Sequence, residues 1–214
     1  MVEWLSSNQE WIQPATSIGT LLVWLFYAQL LFGSYSRQRR PRLLINRGVS
    51  EERLDSPCLI CNMSEEPIYI YFILVCMESS EENVLVPVTD TEESVRGEDT
   101  TPLGTRTRQG PLAPGRCLEL TSFRAILERA AQKAGIELKD GKPTDSEVEL
   151  KSLEFHVVCI YGSDDKPFGS CRKFSLETDD DGGYSLTPAT LDTIRRTSWR
   201  YKRRIRRWLT EFKH

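Results

Sequence analysis

Histidine is nearly absent from this 214-residue chain, which has only His156 and His214. That scarcity excludes an HExxH zinc helix. It also leaves the single CxxC, Cys58-Leu-Ile-Cys61, without the second pair or the spaced histidines that a structural zinc needs. In a strand, residues three apart point to opposite faces, so these two thiols are not expected to converge. A Gly-rich phosphate loop, a GxSxG elbow and a kinase signature set are missing as well. Nor does the sequence repeat itself. His156 lies mid-strand with no nucleophile pattern around it and reads as an ordinary half-buried histidine. Asp179, Asp180 and Asp181 lack the alternating spacing and terminal Glu of a calcium loop. The expectation is a protein with no catalytic activity, no cofactor and no metal.

Basic residues are missing from residues 1–14, which contain Glu3 and Glu10 but neither Lys nor Arg. A cleavable signal peptide needs a basic leader, and this one is acidic. The stretch from Ala15 to Tyr35 then carries no charge, and Arg37, Arg39, Arg40 and Arg42 follow at once. A bilayer core of about 30 Å needs on the order of 20 helical residues. Residues 15–35 are therefore expected to span a membrane, with Trp24, Tyr27 and Tyr35 as interface groups. A core helix, the other reading of such a run, is rarely apolar on every side in a domain this small. With arginines only on the C-terminal side, the positive-inside rule puts residues 1–14 outside and everything after the basic segment 36–41 in the cytoplasm. Gln29, near the cytoplasmic end, reaches toward the headgroups. Pro14 suits the first turn of the helix.

The remaining chain, about 170 residues, is enough for one domain with a real core and hardly for two. The net charge of −3 conceals a split: residues 187–214 carry +7 and the rest −10. Of the six cysteines, most lie in apolar, strand-like stretches, where a free thiol behaves as a small hydrophobe. In a cytoplasmic domain all six should be reduced. Asn62-Met-Ser64 matches a glycosylation sequon, which has no meaning on that side.

Seven strands are expected, over residues 42–46, 58–62, 68–77, 83–89, 116–120, 153–161 and 171–176. In residues 153–161, Leu153, Phe155, Val157, Cys159 and Tyr161 share one face, while Glu154, His156, Val158 and Ile160 share the other. One fully apolar face and one partly apolar face suit a two-sheet sandwich. Residues 90–110 show no sustained apolar period and read as a long loop. One helix interrupts the strands: Ser122 caps it, Phe123, Ile126, Leu127, Ala130 and Ala134 follow helical spacing, and Gly135 ends it.

After an acidic hinge at 178–186, residues 187–214 read as a cationic amphipathic helix opened by Thr187-Pro188. Leu191, Ile194, Tyr201, Ile205, Trp208, Leu209 and Phe212 fall within about 100° of arc, with the bases around the rest of the circle. Three uses compete. The apolar stripe can enter an anionic leaflet, pack on the domain or a partner, or leave the bases to neutralise nucleic-acid phosphates beside Trp199, Tyr201 and Trp208. A membrane span favours lipid by holding the tail beside it. The residues expected to meet a membrane or an anionic partner are Arg37, Arg39, Arg40, Arg42, Arg195, Arg196, Arg200, Lys202, Arg203, Arg204, Arg206, Arg207, Trp208 and Phe212.

One span, an Arg-Gln-Arg-Arg-Pro-Arg42 stop and then Leu-Leu-Ile-Asn46 opening a β-domain together resemble the uncharacterised bacterial single-span inner-membrane proteins. The resemblance covers the architecture of residues 15–176 and carries over no functional residue. It implies an inner-membrane location and an immunoglobulin-like cytoplasmic domain at 42–177. The expected function is a membrane-anchored adaptor or assembly module whose partners are the lipid bilayer and a protein. A membrane-tethered regulator that binds nucleic acid through the tail is the alternative.

Overall fold

The computed structural model describes residues 9–38, 40–49, 54–89, 107–139, 141–162, 167–178 and 184–212. The chain divides into two units, Met1–Arg40 and Pro41–His214.

The first unit is helix α1, Gln9–Gln38. Within it Gln13–Ser34 has a mean hydropathy of 1.6 and is long and apolar enough to cross a membrane. Its large apolar side chains, among them Leu21, Trp24, Leu31 and Phe32, are exposed on every side. The hydroxyls of Ser17 and Thr20 return to the carbonyls of Gln13 and Thr16, at 3.0 and 2.8 Å, so they need no outside partner. Pro14 does not open the helix as expected. It lies in the interior, where its ring removes the hydrogen bond to the Glu10 carbonyl.

The second unit is mainly β. In chain order its strands are β1 (Leu43–Arg47), β2 (Pro57–Asn62), β3 (Ile68–Ser79), β4 (Asn83–Pro87), β5 (Gly110–Leu112) and β6 (Cys117–Ser122). Helix α2 (Phe123–Ala134) follows, then β7 (Leu138–Lys139), β8 (Lys142–Pro143), β9 (Leu150–Tyr161), β10 (Phe168–Thr178), β11 (Tyr184–Pro188), β12 (Ile194–Arg196) and α3 (Trp199–Glu211). All seven expected strands are present with small shifts of boundary. The short β5, β7, β8 and β12 are additional, because strands of two or three residues leave too few alternating positions to read, and β11 is additional because residues 184–186 read as hinge and 187–188 as the start of the tail helix. Residues 90–106 of the expected loop and 179–183 of the expected hinge lie outside the described residues.

Two antiparallel sheets pack in a sandwich-like manner. The smaller has the order β1-β2-β6, and the main sheet runs β11-β10-β9-β3-β4, with β5 on β3 and β12 on β10. The long β3 and β9 pair along almost their whole length, with a bulge between Ile70 and Phe72 that keeps Ile68, Ile70, Ile73, Val75 and Met77 buried. The core between the sheets gathers Ile45, Ile60, Ile73, Val157 and their neighbours. Phe123, Phe155 and Phe174 meet edge to face there at 5.0–5.7 Å. Helix α2 packs on this core through Phe123, Ile126, Leu127, Ala130 and Ala131, and it starts and ends at the expected cap and glycine. The Ser122 hydroxyl accepts from the Ala125 N–H, and Gly135 ends the helix at φ 73°, a conformation that costs glycine little.

Arg172, buried on β10, ties the sheets together. Its guanidinium donates to the Ile45 carbonyl at 2.6 Å and to the Thr190 and Leu191 carbonyls at 3.3 and 3.4 Å. The Ile45 N–H in turn donates to the Thr193 hydroxyl at 2.8 Å.

Two expectations about the cysteines and the sequon are revised or explained by this fold. Cys61 and Cys117 are not free thiols; they form a disulfide, because the β2–β6 register sets them directly opposite. Their separation of 56 residues hid that pairing from the sequence. Cys58, Cys76, Cys159 and Cys171 are free, and burial pushes the Cys58 and Cys159 thiols far up. Asn62 is fully buried: its amide donates to the Glu66 and Leu112 carbonyls, both at 2.9 Å, and its oxygen accepts from the Ser64 N–H. The sequon is thus a turn-forming Asn whose side chain faces inward.

Candidate functional site

The basic tail begins differently from the expectation. Thr187 and Pro188 end β11, paired with Ser175 and Phe174 of β10, and do not open a helix. The next segment pairs with the same edge of β10 as β12, Gly169 opposite Arg196 and Cys171 opposite Ile194. Leu191, placed on the apolar stripe by helical spacing, is fully exposed in the connection between these strands. Strand pairing overrode the helical pattern because β10 offers an open edge at this point.

Helix α3 starts only after Ser198, whose hydroxyl accepts from the Tyr201 N–H at 3.3 Å. It lies on the face of the main sheet that looks away from the core. Tyr201, Ile205 and Trp208 are buried there against Leu74 and Val158, with Phe72, Leu85, Leu209 and Phe212 around them. The Tyr201 ring rests on Gly169, where any Cβ would collide with it. Of the expected contact residues, Trp208 is therefore withdrawn, only 5% exposed, and Phe212 is half-buried with the Lys133 ammonium 5.2 Å from its ring centre. An apolar stripe already spent on the sheet is not free to enter lipid.

The basic face remains outside. Arg195, Arg196, Arg200, Arg203, Arg204, Arg206 and Arg207 are exposed, and Lys202 is half-buried. Several of these guanidiniums lie over rings: Arg195 over Phe168, Arg203 over Trp199 and Arg204 over Trp208, at 5.0–5.7 Å. Arg42 is exposed but held by Asp192 at 3.2 Å, and Arg40 is exposed. Arg39 and the side chain of Arg37 lie outside the described residues.

Beneath α3 the sheet buries a cluster that sequence reasoning passed over. The alternation on β9 correctly put Glu154, His156 and Val158 on one face. The unforeseen element is Cys171, brought directly opposite His156 by the β9–β10 register. One ligand-type atom from each of Glu154, His156 and Cys171 lies within 4.8 Å of the others. His156 is 2% exposed and not half-buried as expected. Its Nδ1 meets the Tyr201 hydroxyl at 3.2 Å. Its Nε2 lies 3.6 Å from a Glu154 oxygen and has no hydrogen-bond partner among the described residues. Burial holds the imidazole down at about 4, against the pull of the Glu154 carboxylate and helped by Arg204 and Arg196, so it is neutral at pH 7. A buried polar atom left unpaired costs about 1–3 kcal/mol. The Cys171 thiol accepts from the Arg196 Nε at 3.3 Å and donates to the Ile194 carbonyl at 3.6 Å. Burial raises this thiol's pKa and the Arg196 bond opposes the rise.

The candidate surface thus has two layers, an exposed arginine face and, under the same helix, a Glu-His-Cys cluster in which His156 and Cys171 are buried and Glu154 is partly exposed. Compared with known proteins, the chain matches no family model, no curated protein and no solved structure.

Proposed function

We propose that the protein is a single-pass inner-membrane protein whose α1 crosses the bilayer with its N-terminus outside, and whose immunoglobulin-like β-domain is a cytoplasmic adaptor that meets anionic surfaces through α3. The observation that carries this reading is the division of labour on α3: Tyr201, Ile205 and Trp208 are used up against the sheet, while Arg200, Arg203, Arg206 and Arg207 are left in solvent. A helix docked this way offers charge without an insertable stripe, so its contact with a membrane is electrostatic. Each base close to an anionic leaflet contributes about 1 kcal/mol, less as salt rises. The arginine cluster after the apolar run supports the orientation.

The Cys61–Cys117 disulfide weighs against that orientation, since cytosolic pairs are kept reduced. Cys117 is exposed, within reach of cellular reductants. On the proposed side of the membrane the cellular reductants would hold the pair as a dithiol. Trapping thiols in intact cells with a permeant alkylating reagent tests this together with a C-terminal reporter fusion. An active extracytoplasmic reporter and an unalkylated Cys61–Cys117 pair would overturn the cytoplasmic assignment.

Residues 41–214 form one unit with its own core, so the surface contact is testable on that fragment. It should float with vesicles containing anionic lipid, stay behind with neutral ones, and lose flotation when Arg200, Arg203, Arg206 and Arg207 become Gln. Equal flotation with both vesicle types would sink the lipid contact. Salt-dependent retention of DNA or RNA, lost in the same variant, would hand the surface to nucleic acid.

A further inference from the structure

We propose that Glu154, His156 and Cys171 form a binding site for a divalent metal ion of the zinc class, seated between the outer face of the main sheet and α3. The three residues come from two adjacent strands in fixed register, so their Cα positions are held by the ladder. Tetrahedral coordination at about 2.0–2.3 Å places neighbouring ligand atoms about 3.3–3.7 Å apart. The Glu154 oxygen and His156 Nε2 already stand 3.6 Å apart, and the whole set lies within 4.8 Å, a spread that small side-chain rotations close.

The unpaired Nε2 is the second, independent sign. His156 is buried, its Nδ1 is engaged by the Tyr201 hydroxyl, and its other nitrogen points at a carboxylate with no hydrogen bond to either oxygen. A metal-bound histidine has this arrangement: the far nitrogen is hydrogen-bonded to an orienting group, and the near one offers a lone pair. The mixed N, O and S donor set selects zinc or a similar transition ion over magnesium and calcium, which take oxygen ligands. Cys171 would bind as thiolate, its proton released to solvent, with the Arg196 N–H as a hydrogen bond to the sulfur. Glu154, whose side chain is about a third exposed, stands at the rim, where a water completes the coordination. Arg196 and Arg204 add positive charge nearby, so both anionic ligands are needed for an ion to stay.

The test uses the full chain in detergent, without a polyhistidine tag, stripped with chelator and titrated with cobalt(II) and then zinc. The expected result is one ion per chain and a thiolate-to-cobalt charge-transfer band that zinc abolishes. Cys171→Ser should remove the band. Glu154→Gln, an isosteric change at the rim, should weaken binding at least tenfold with unchanged circular dichroism. Tyr201→Phe, which removes only the orienting hydroxyl, should weaken it about tenfold. Cys76→Ser changes the other thiol on this face, opposite Glu154, and should leave binding intact. The site is overturned if the folded protein takes up no cobalt. It is equally overturned if the band persists in Cys171→Ser, or if binding survives Glu154→Gln unchanged.

Discussion

A serine-capped helix packs on each face of the main sheet, on the inner one together with the smaller sheet, and the two faces are built on opposite terms. On the inner face α2 brings Phe123, Ile126, Leu127, Ala130 and Ala131 onto an apolar core in which Phe155 and Phe174 meet Phe123. On the outer face α3 brings Tyr201, Ile205 and Trp208 onto a sheet surface that mixes Leu74 and Val158 with His156 and Cys171. Burial of apolar area stabilises roughly in proportion to the area, so the inner layer holds the fold. The outer layer gives up some of that gain to keep ionisable groups out of water.

The comparison breaks most easily at its strongest point. Phe155→Ala should destabilise residues 41–214 by about 3–5 kcal/mol, since a fully buried ring is lost from three-way aromatic packing. Chemical denaturation measures it. Trp208→Ala should cost less, about 2 kcal/mol, because the outer cluster is small and can open by itself. Hydrogen exchange separates the two cases. Exchange should rise across both sheets in Phe155→Ala but in α3 first in Trp208→Ala, and a uniform rise in both would mean that α3 belongs to the same cooperative unit as the core.

The caps sharpen the contrast. Ser122→Ala and Ser198→Ala each remove one hydroxyl bond to a helix N–H and should each cost about 1 kcal/mol. For Ser122 that loss should appear in global stability. For Ser198 it should appear as increased exchange confined to α3.

The smallest effect is a pH dependence at the open end of the outer face. There Lys173 donates to the Glu78 carboxylate at 2.6 Å, and Ser152 donates to it at 2.8 Å. Chiefly through the Lys173 bond, the Glu78 carboxyl is held below its usual range. Its contribution is therefore present above about pH 4.5, the ordinary value, and is lost as pH falls through the lowered folded one. The pair is partly exposed, so the effect should stay under about 1 kcal/mol. The stability difference between the parent and Glu78→Gln, followed from pH 7 to pH 3, should shrink across that window.

How much of this was legible follows from the range of each interaction. The α2 helix was fully readable because cap, apolar spacing and terminal glycine are all local to residues 122–135. The alternation of residues 153–161 assigned both faces of β9 correctly for the same reason. The tail misled: helical spacing gathered Leu191 and Ile194 with Tyr201 and Trp208, yet residues 184–188 and 194–196 pair with the edge of β10 and Leu191 lies in the exposed connection between them. Cys61–Cys117 and the Glu154-His156-Cys171 cluster were invisible because each depends on which strands become neighbours. No local pattern encodes that choice.

The amino-acid sequence by itself determined an apolar helix ending in arginines, a chain of strands with one capped helix inserted, and a tail rich in positive charge. Each of these is written in consecutive residues through periodicity, capping and charge. Only the tertiary structure decided that α3 docks its apolar stripe on the sheet, that β9 and β10 set His156 beside Cys171, and that β2 and β6 join Cys61 to Cys117. Those outcomes depend on register between segments far apart in the chain, which hydrogen-bond ladders and core packing fix together once the sheets assemble.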